Sequence, residues 1–100
     1  MDNISTEFNK NFFGPQIRVI VLLEENTRQL WEFEYDPRAH SLKNRSFYFQ
    51  KRETPRHKWV TKDKFEKPET RSNTLHTLPE IPPEVRAVAR DRFIQELTTE

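Results

Sequence analysis

Residues 45–65, RSFYFQKRETPRHKWVTKDKF, place two aromatic and basic segments on either side of Thr54-Pro55-Arg56. Proline presets φ for a turn, and Phe, Tyr, Trp, Val and Thr suit a pleated, half-buried surface. The stretch reads as a β-hairpin with its turn over Glu53-Thr54-Pro55-Arg56. Along Arg45 to Arg52, alternation turns Phe47 and Phe49 toward a core and leaves Tyr48 and Gln50 on the other face. Along the second strand, about His57 to Glu66, strict alternation sets Trp59, Thr61 and Phe65 against Lys58, Val60, Lys62 and Lys64.

Working upstream, Gln16 to Glu25 (QIRVIVLLEE) is apolar on both alternating faces, with Ile17, Val19, Val21 and Leu23 on one and Ile20 and Leu22 on the other. A strand of this kind is usually covered on both sides. Asn26-Thr27 makes the next turn, and the lack of glycine predicts a looser connection than a tight Asn-Gly hairpin. Arg28 to Asp36 alternates Trp31, Phe33 and Tyr35 with Glu32, Glu34 and Asp36, the pattern of a half-buried strand, and Pro37 ends it. Residues 1–15 carry Ser5 or Thr6 as a possible N-cap, Phe8 and Phe12 four apart, and a Gly14-Pro15 stop. They read as a short helix or as a tail whose phenylalanines dock on the outer face of the sheet.

Downstream, residues 67–82 mix Pro, Ser, Asn and Thr, with Leu75, Leu78 and Ile81 in no sustained period, and read as a long loop. Pro82-Pro83 and Glu84 then open a helix. Val85, Ala89, Phe93 and Leu97, with Val88 beside them, form its core stripe, and Ala87 and Ile94 point roughly the opposite way. The fold class is therefore α+β: a four-stranded antiparallel meander over residues 16–100 with a C-terminal helix packed on one face.

A chain of 100 residues has room for one domain, and with 33% hydrophobic and 33% charged residues it relies on its eight Phe, two Trp and two Tyr for core area. The absence of cysteine removes disulfides and thiolate zinc sites, and the single glycine removes a phosphate-cradling loop. No cofactor and no metal are expected. MDNISTEF lacks the pattern of a signal peptide, and the longest apolar run, Val19 to Leu23, is too short to cross a bilayer, so a soluble cytoplasmic protein is expected, away from membranes.

The formal charge of +1 hides a segregation. Residues 43–67 hold nine Lys/Arg and three Asp/Glu, whereas residues 1–42 hold four and seven, and 68–100 hold four and six. The basic excess lies in the hairpin, where Lys51, Arg52, Arg56, Lys58, Lys62 and Lys64 are candidates for phosphate contacts and Tyr48 for base stacking. An ordinary solvated surface is the competing reading, if Glu32 and Glu34 face those lysines. Ile20, Leu22 and Leu30 on the outer sheet face, and Ala87 and Ile94 on the helix, are candidates for a protein interface.

Catalytic signals are weak. His40, His57 and His76 are scattered, Asp36, His40 and Ser41 crowd one loop rather than converging, and Glu24-Glu25 and Glu32/Glu34 sit on strands without a cleft of unlike environments. An enzyme is not expected. The order of four strands then a helix resembles that of single-stranded-DNA-binding transcriptional coactivator domains, without a shared motif; the resemblance implies a dimer that holds nucleic acid against its sheets. The leading expectation is a small non-enzymatic protein-interaction module, a homodimer or adaptor, and the alternative is a nucleic-acid-binding protein using residues 45–65.

Overall fold

The structure, a computed structural model, describes residues 3–11, 14–66 and 80–98. The described residues form an α+β fold of one antiparallel sheet and one helix. The strands are β1 (Ile4–Asn11), β2 (Gly14–Glu24), β3 (Thr27–Asp36), β4 (Ser41–Lys51) and β5 (Val60–Glu66), and the helix is α1 (Pro83–Thr98). The spatial order is the chain order, β1-β2-β3-β4-β5, so every neighbour is joined by a hairpin connection.

Five strands replace the expected four because the N-terminal segment is neither a helix nor a cover over the outer face. It pairs with β2, Phe8 opposite Ile17 and Ile4 opposite Val21. Its alternation explains this: Ile4 and Phe8 pack on the core while Ser5 and Glu7 are exposed, a period of two rather than of 3.6. Gly14, at φ 107°, starts β2 in a backbone region that glycine adopts without a Cβ clash. Phe12, Phe13, Leu75, His76 and Leu78 lie outside the described residues.

Each of the next three hairpins carries one extra residue. In β2/β3 the register shifts between Leu22 and Glu24, with Glu25 and Asn26 as the turn, one residue earlier than the sequence suggested. Neither turn residue has positive φ, so the tight primed turn is absent and the bulge at Leu23 takes up the mismatch. In β3/β4 the extra residue is Arg45, and the Asn44 side-chain amide repairs the interrupted ladder by donating to the carbonyls of Glu32 (3.0 Å) and Ser46 (3.1 Å). In β4/β5 it is Lys62, between the pairs Phe49/Asp63 and Gln50/Thr61. This last bulge overturns strict alternation along β5. Phe65 faces the core opposite Phe47, whereas Thr61 lies on the outer face opposite Gln50.

The inner face carries a transverse row of Thr6, Val19, Trp31, Phe47 and Phe65. Trp31, 2% exposed, meets Phe47 with ring centroids 4.4 Å apart. Across β1 and β2 lies α1, whose Val85, Ala89 and Phe93 complete the core. Pro82 accepts from the Val85 and Arg86 amides at its start, as a helix opening on proline allows. Phe93 stacks on Tyr35 at 4.8 Å, and Arg92 ties the helix to β1 by donating to the Thr6 hydroxyl at 3.2 Å. The core stripe is shorter than the spacing suggested, for Leu97 is 59% exposed.

Trp31→Ala is expected to cost about 3–5 kcal/mol, and Leu97→Ala less than about 0.5 kcal/mol, in urea unfolding followed by circular dichroism. Equal costs would mean that α1 is seated through its last turn.

Candidate functional site

The outer face of the sheet is crossed by three rows. The central one runs Ser5, Ile20, Leu30, Tyr48, Lys64; to one side lies Glu7, Arg18, Glu32, Ser46; to the other Leu22, Arg28, Gln50, Thr61. Among the described residues, no helix or strand lies over this face. Leu30, flanked in register by Ile20 and Tyr48, is only 6% exposed, while Leu22 at the margin is 38% exposed. The apolar strip is therefore narrower than three open aliphatic side chains would make it.

Charge on this face is sorted by position. Arg18 bridges Glu7 and Glu32 at 3.5 Å each, Arg45 meets Glu34 at 3.2 Å, and Lys43 meets Asp36 at 2.6 Å. Such partly exposed pairs contribute little individually, typically about 0.2–1 kcal/mol. Their consequence is positional: Glu32 and Glu34 hold arginines of β2 and β4 and do not neutralise the lysines of β5.

Beside the paired region sits a cationic-aromatic cluster. The guanidinium carbons of Arg28 and Arg52 lie 4.3 and 4.2 Å from the centroid of the Trp59 ring, within cation–π range. Arg28 donates to the Gln50 side-chain oxygen at 2.8 Å, and Gln50 donates to the Thr61 hydroxyl at 3.1 Å, so one hydrogen-bonded chain crosses β3, β4 and β5. Arg52 joins two hairpin ends, donating to the Glu25 carbonyl (2.8 Å), the Asn26 side chain (3.2 Å) and the Pro55 carbonyl (3.5 Å). Burial, followed by the like charges of Arg18 and Arg52, pulls the Arg28 guanidinium below its ordinary value. Nearby cations disfavour one another, which an anion laid over them would relieve.

The seven basic-aromatic candidates do not form one strip. Tyr48 and Lys64 are together on the outer face, with the ammonium 5.8 Å from the ring centroid. Lys51, Lys58 and Lys62 line a shallow concavity of about 630 Å³ at the end of the β4/β5 hairpin, with Arg52, Glu53, His57 and Val60. The bulge at Lys62 divides them, because Lys51 and Val60 pair one step beyond the outward-facing Gln50 and Thr61. Arg52 is committed to the two turns, and Arg56 is exposed in the loop, where its amide bonds the Thr54 hydroxyl at 3.3 Å. Trp59, which alternation assigned to the core, lies instead against Arg28 and Arg52; a two-residue register argument has no way to locate the bulge that moves it.

The protein-interface candidates fall on opposite sides of the molecule. Ile20, Leu22 and Leu30 belong to the outer face, whereas Ala87 and Ile94 are exposed on α1, Ile94 at 48%. In the β3–β4 turn the Asp36 carboxylate is taken by Lys43 and by the Arg38 amide at 2.9 Å, and His40 adopts φ 51°. No group of His, Asp and Glu suited to a metal ion is found among the described residues. No helix of the described residues is long and apolar enough to cross a membrane. In comparisons with family models, curated proteins and solved structures, nothing matches this chain.

Two outcomes follow from this geometry. Arg52→Ala is expected to cost about 1–3 kcal/mol through the hydrogen bonds to the two turns, and to red-shift tryptophan emission as Trp59 loses a cover; an unchanged spectrum would remove Arg52 from the ring. The second concerns acid. Hydrogen bonds from Lys43 and then from the Arg38 amide hold the Asp36 carboxyl below the usual carboxylate range. A carboxyl depressed in the folded state stabilises above its unfolded value, and that contribution is lost as the pH falls through the folded one. Asp36→Asn should therefore flatten the acid side of the stability profile below about pH 4, measured by urea unfolding at several pH values, and an identical profile would contradict the pairing.

Proposed function

We propose that the protein is a small non-enzymatic interaction module that receives a protein partner, its own second copy included, on the outer face of the sheet. The observation that carries this reading is the face itself: among the described residues α1 is on the other side, and Ile20, Leu30 and Tyr48 form an apolar centre with Leu22 at one margin and the charged pairs along the other. A central apolar patch with a polar rim is the general anatomy of protein interfaces.

A second reading, single-stranded nucleic acid on the same face, is favoured by one specific observation. Trp59 and Thr61 share that face with Tyr48, Lys64 and Arg28, and the Glu32 and Glu34 carboxylates of the same face are paired with Arg18 and Arg45. Guanidinium planes and an aromatic platform suit phosphates and bases.

Light scattering across a concentration series, with wild type and Ile20→Glu/Leu22→Glu, tests the first reading. The expectation is a concentration-dependent dimer whose dissociation constant rises at least tenfold in the variant. A wild-type monomer at the highest concentration leaves the second reading, which is tested by anisotropy of labelled single-stranded DNA and RNA across about 50–200 mM salt. Binding that weakens steeply with salt and is lost in a folded Tyr48→Ala/Lys64→Glu variant supports it; absence of binding at the lowest salt contradicts it.

A further inference from the structure

The helix side of the molecule holds a second, unrelated feature. Between α1 and the β3–β4 hairpin lies a cleft of about 420 Å³, within the range of roughly 300–1,000 Å³ typical of small-molecule sites. Its floor is apolar and partly aromatic, built from Phe33, Tyr35, Leu42, Ala89 and Phe93, and includes the Tyr35–Phe93 stack. Ile94 and Leu97, the two most exposed aliphatic side chains of α1, edge the same cleft.

Polar character at the rim is of one sign. Arg86 and Arg90 line the cleft one helical turn apart, with His40 and Ser41 also lining it, and among the described residues no carboxylate lines it. Neither Arg86 nor Arg90 has an ion-pair or side-chain hydrogen-bond partner among the described residues, whereas Arg18, Arg45 and Arg92 each hold a carboxylate. Two arginines a turn apart over an apolar, partly aromatic floor complement a ligand with one anionic end and one apolar end. The guanidinium forks are suited to a carboxylate or sulfonate, and the floor to a ring or a short alkyl chain.

We infer that this cleft is a binding site for a small organic anion that joins a carboxylate or sulfonate head to an aromatic or alkyl body. The site is on the opposite side of the sheet from the outer face, so it stands or falls apart from the interaction reading.

The test uses the full chain with two anionic probes, 8-anilinonaphthalene-1-sulfonate and decanoate, and neutral decanol as the control. Titrations are followed by fluorescence and by amide chemical shifts. The expected result is saturable binding of one anion per chain, mutual displacement of the two anionic probes, and shift changes confined to residues 35–42 and 86–97. In Arg86→Glu/Arg90→Glu the anion dissociation constant rises at least tenfold while decanol binding changes little; Arg86→Gln/Arg90→Gln gives an intermediate loss if the glutamates disturb the helix. Anion affinity unchanged in both variants, decanol preferred over decanoate by the wild type, shift changes on the outer face, or no saturable binding into the millimolar range would each overturn the assignment.

Discussion

Thr6, Val19, Trp31, Phe47 and Phe65 stand in register across all five strands, and the burial of this row is the condition under which the rest of the fold exists. The chain has few apolar residues to spend, and an aromatic side chain removes roughly 150–250 Å² from water at a stroke. Trp31, touching Phe47 at 4.4 Å, with Phe65 6.0 Å beyond Phe47, concentrates that area on one face. The helix is placed by the same row's flank. Val85, Ala89 and Phe93 extend the core over β1 and β2, and Arg92 ties the helix to β1 by its bond to Thr6.

The three bulges decide what each face presents. One extra residue turns every later side chain of a strand to the opposite face. At Arg45 the extra residue lets Leu42 and Phe47 both reach the inner side while the Arg45 side chain pairs with Glu34. At Lys62 it separates Phe65, which is needed inside, from Thr61 and the arginine-held Trp59. The outer face owes its cationic-aromatic end to that single insertion, and the binding proposals for this face depend on it.

The legible parts of this chain were those with long, regular alternation. Ile17, Val19 and Val21, and Trp31, Phe33 and Tyr35, point inward as their spacing requires, and Pro83 opens the helix that Val85, Ala89 and Phe93 seat. The first strand was obscured because Phe8 and Phe12 share a helical as well as a β interpretation, and the choice is made by the unpaired edge of β2, a tertiary demand. Trp59 was misassigned because a bulge has no local composition signal. Leu97 was misassigned because it sits at the edge of the cleft between α1 and the β3–β4 hairpin, where it stays 59% exposed. Of the candidate site, the basic excess of residues 43–67 was visible as composition. Its division between Tyr48 and Lys64 on one face and the Lys51, Lys58 and Lys62 concavity was not, since it depends on the same bulge.

The direct test of this account is a nuclear Overhauser spectrum of the aromatic protons. The account predicts cross-peaks from Trp59 to the Arg28 and Arg52 side chains, together with cross-peaks between Phe47 and Phe65. Cross-peaks from Trp59 to the Lys51 side chain in place of those to Arg28 and Arg52 would mean that β5 alternates without a bulge, and would turn Trp59 to the inner side and strip the outer face of the cluster on which its proposed role depends.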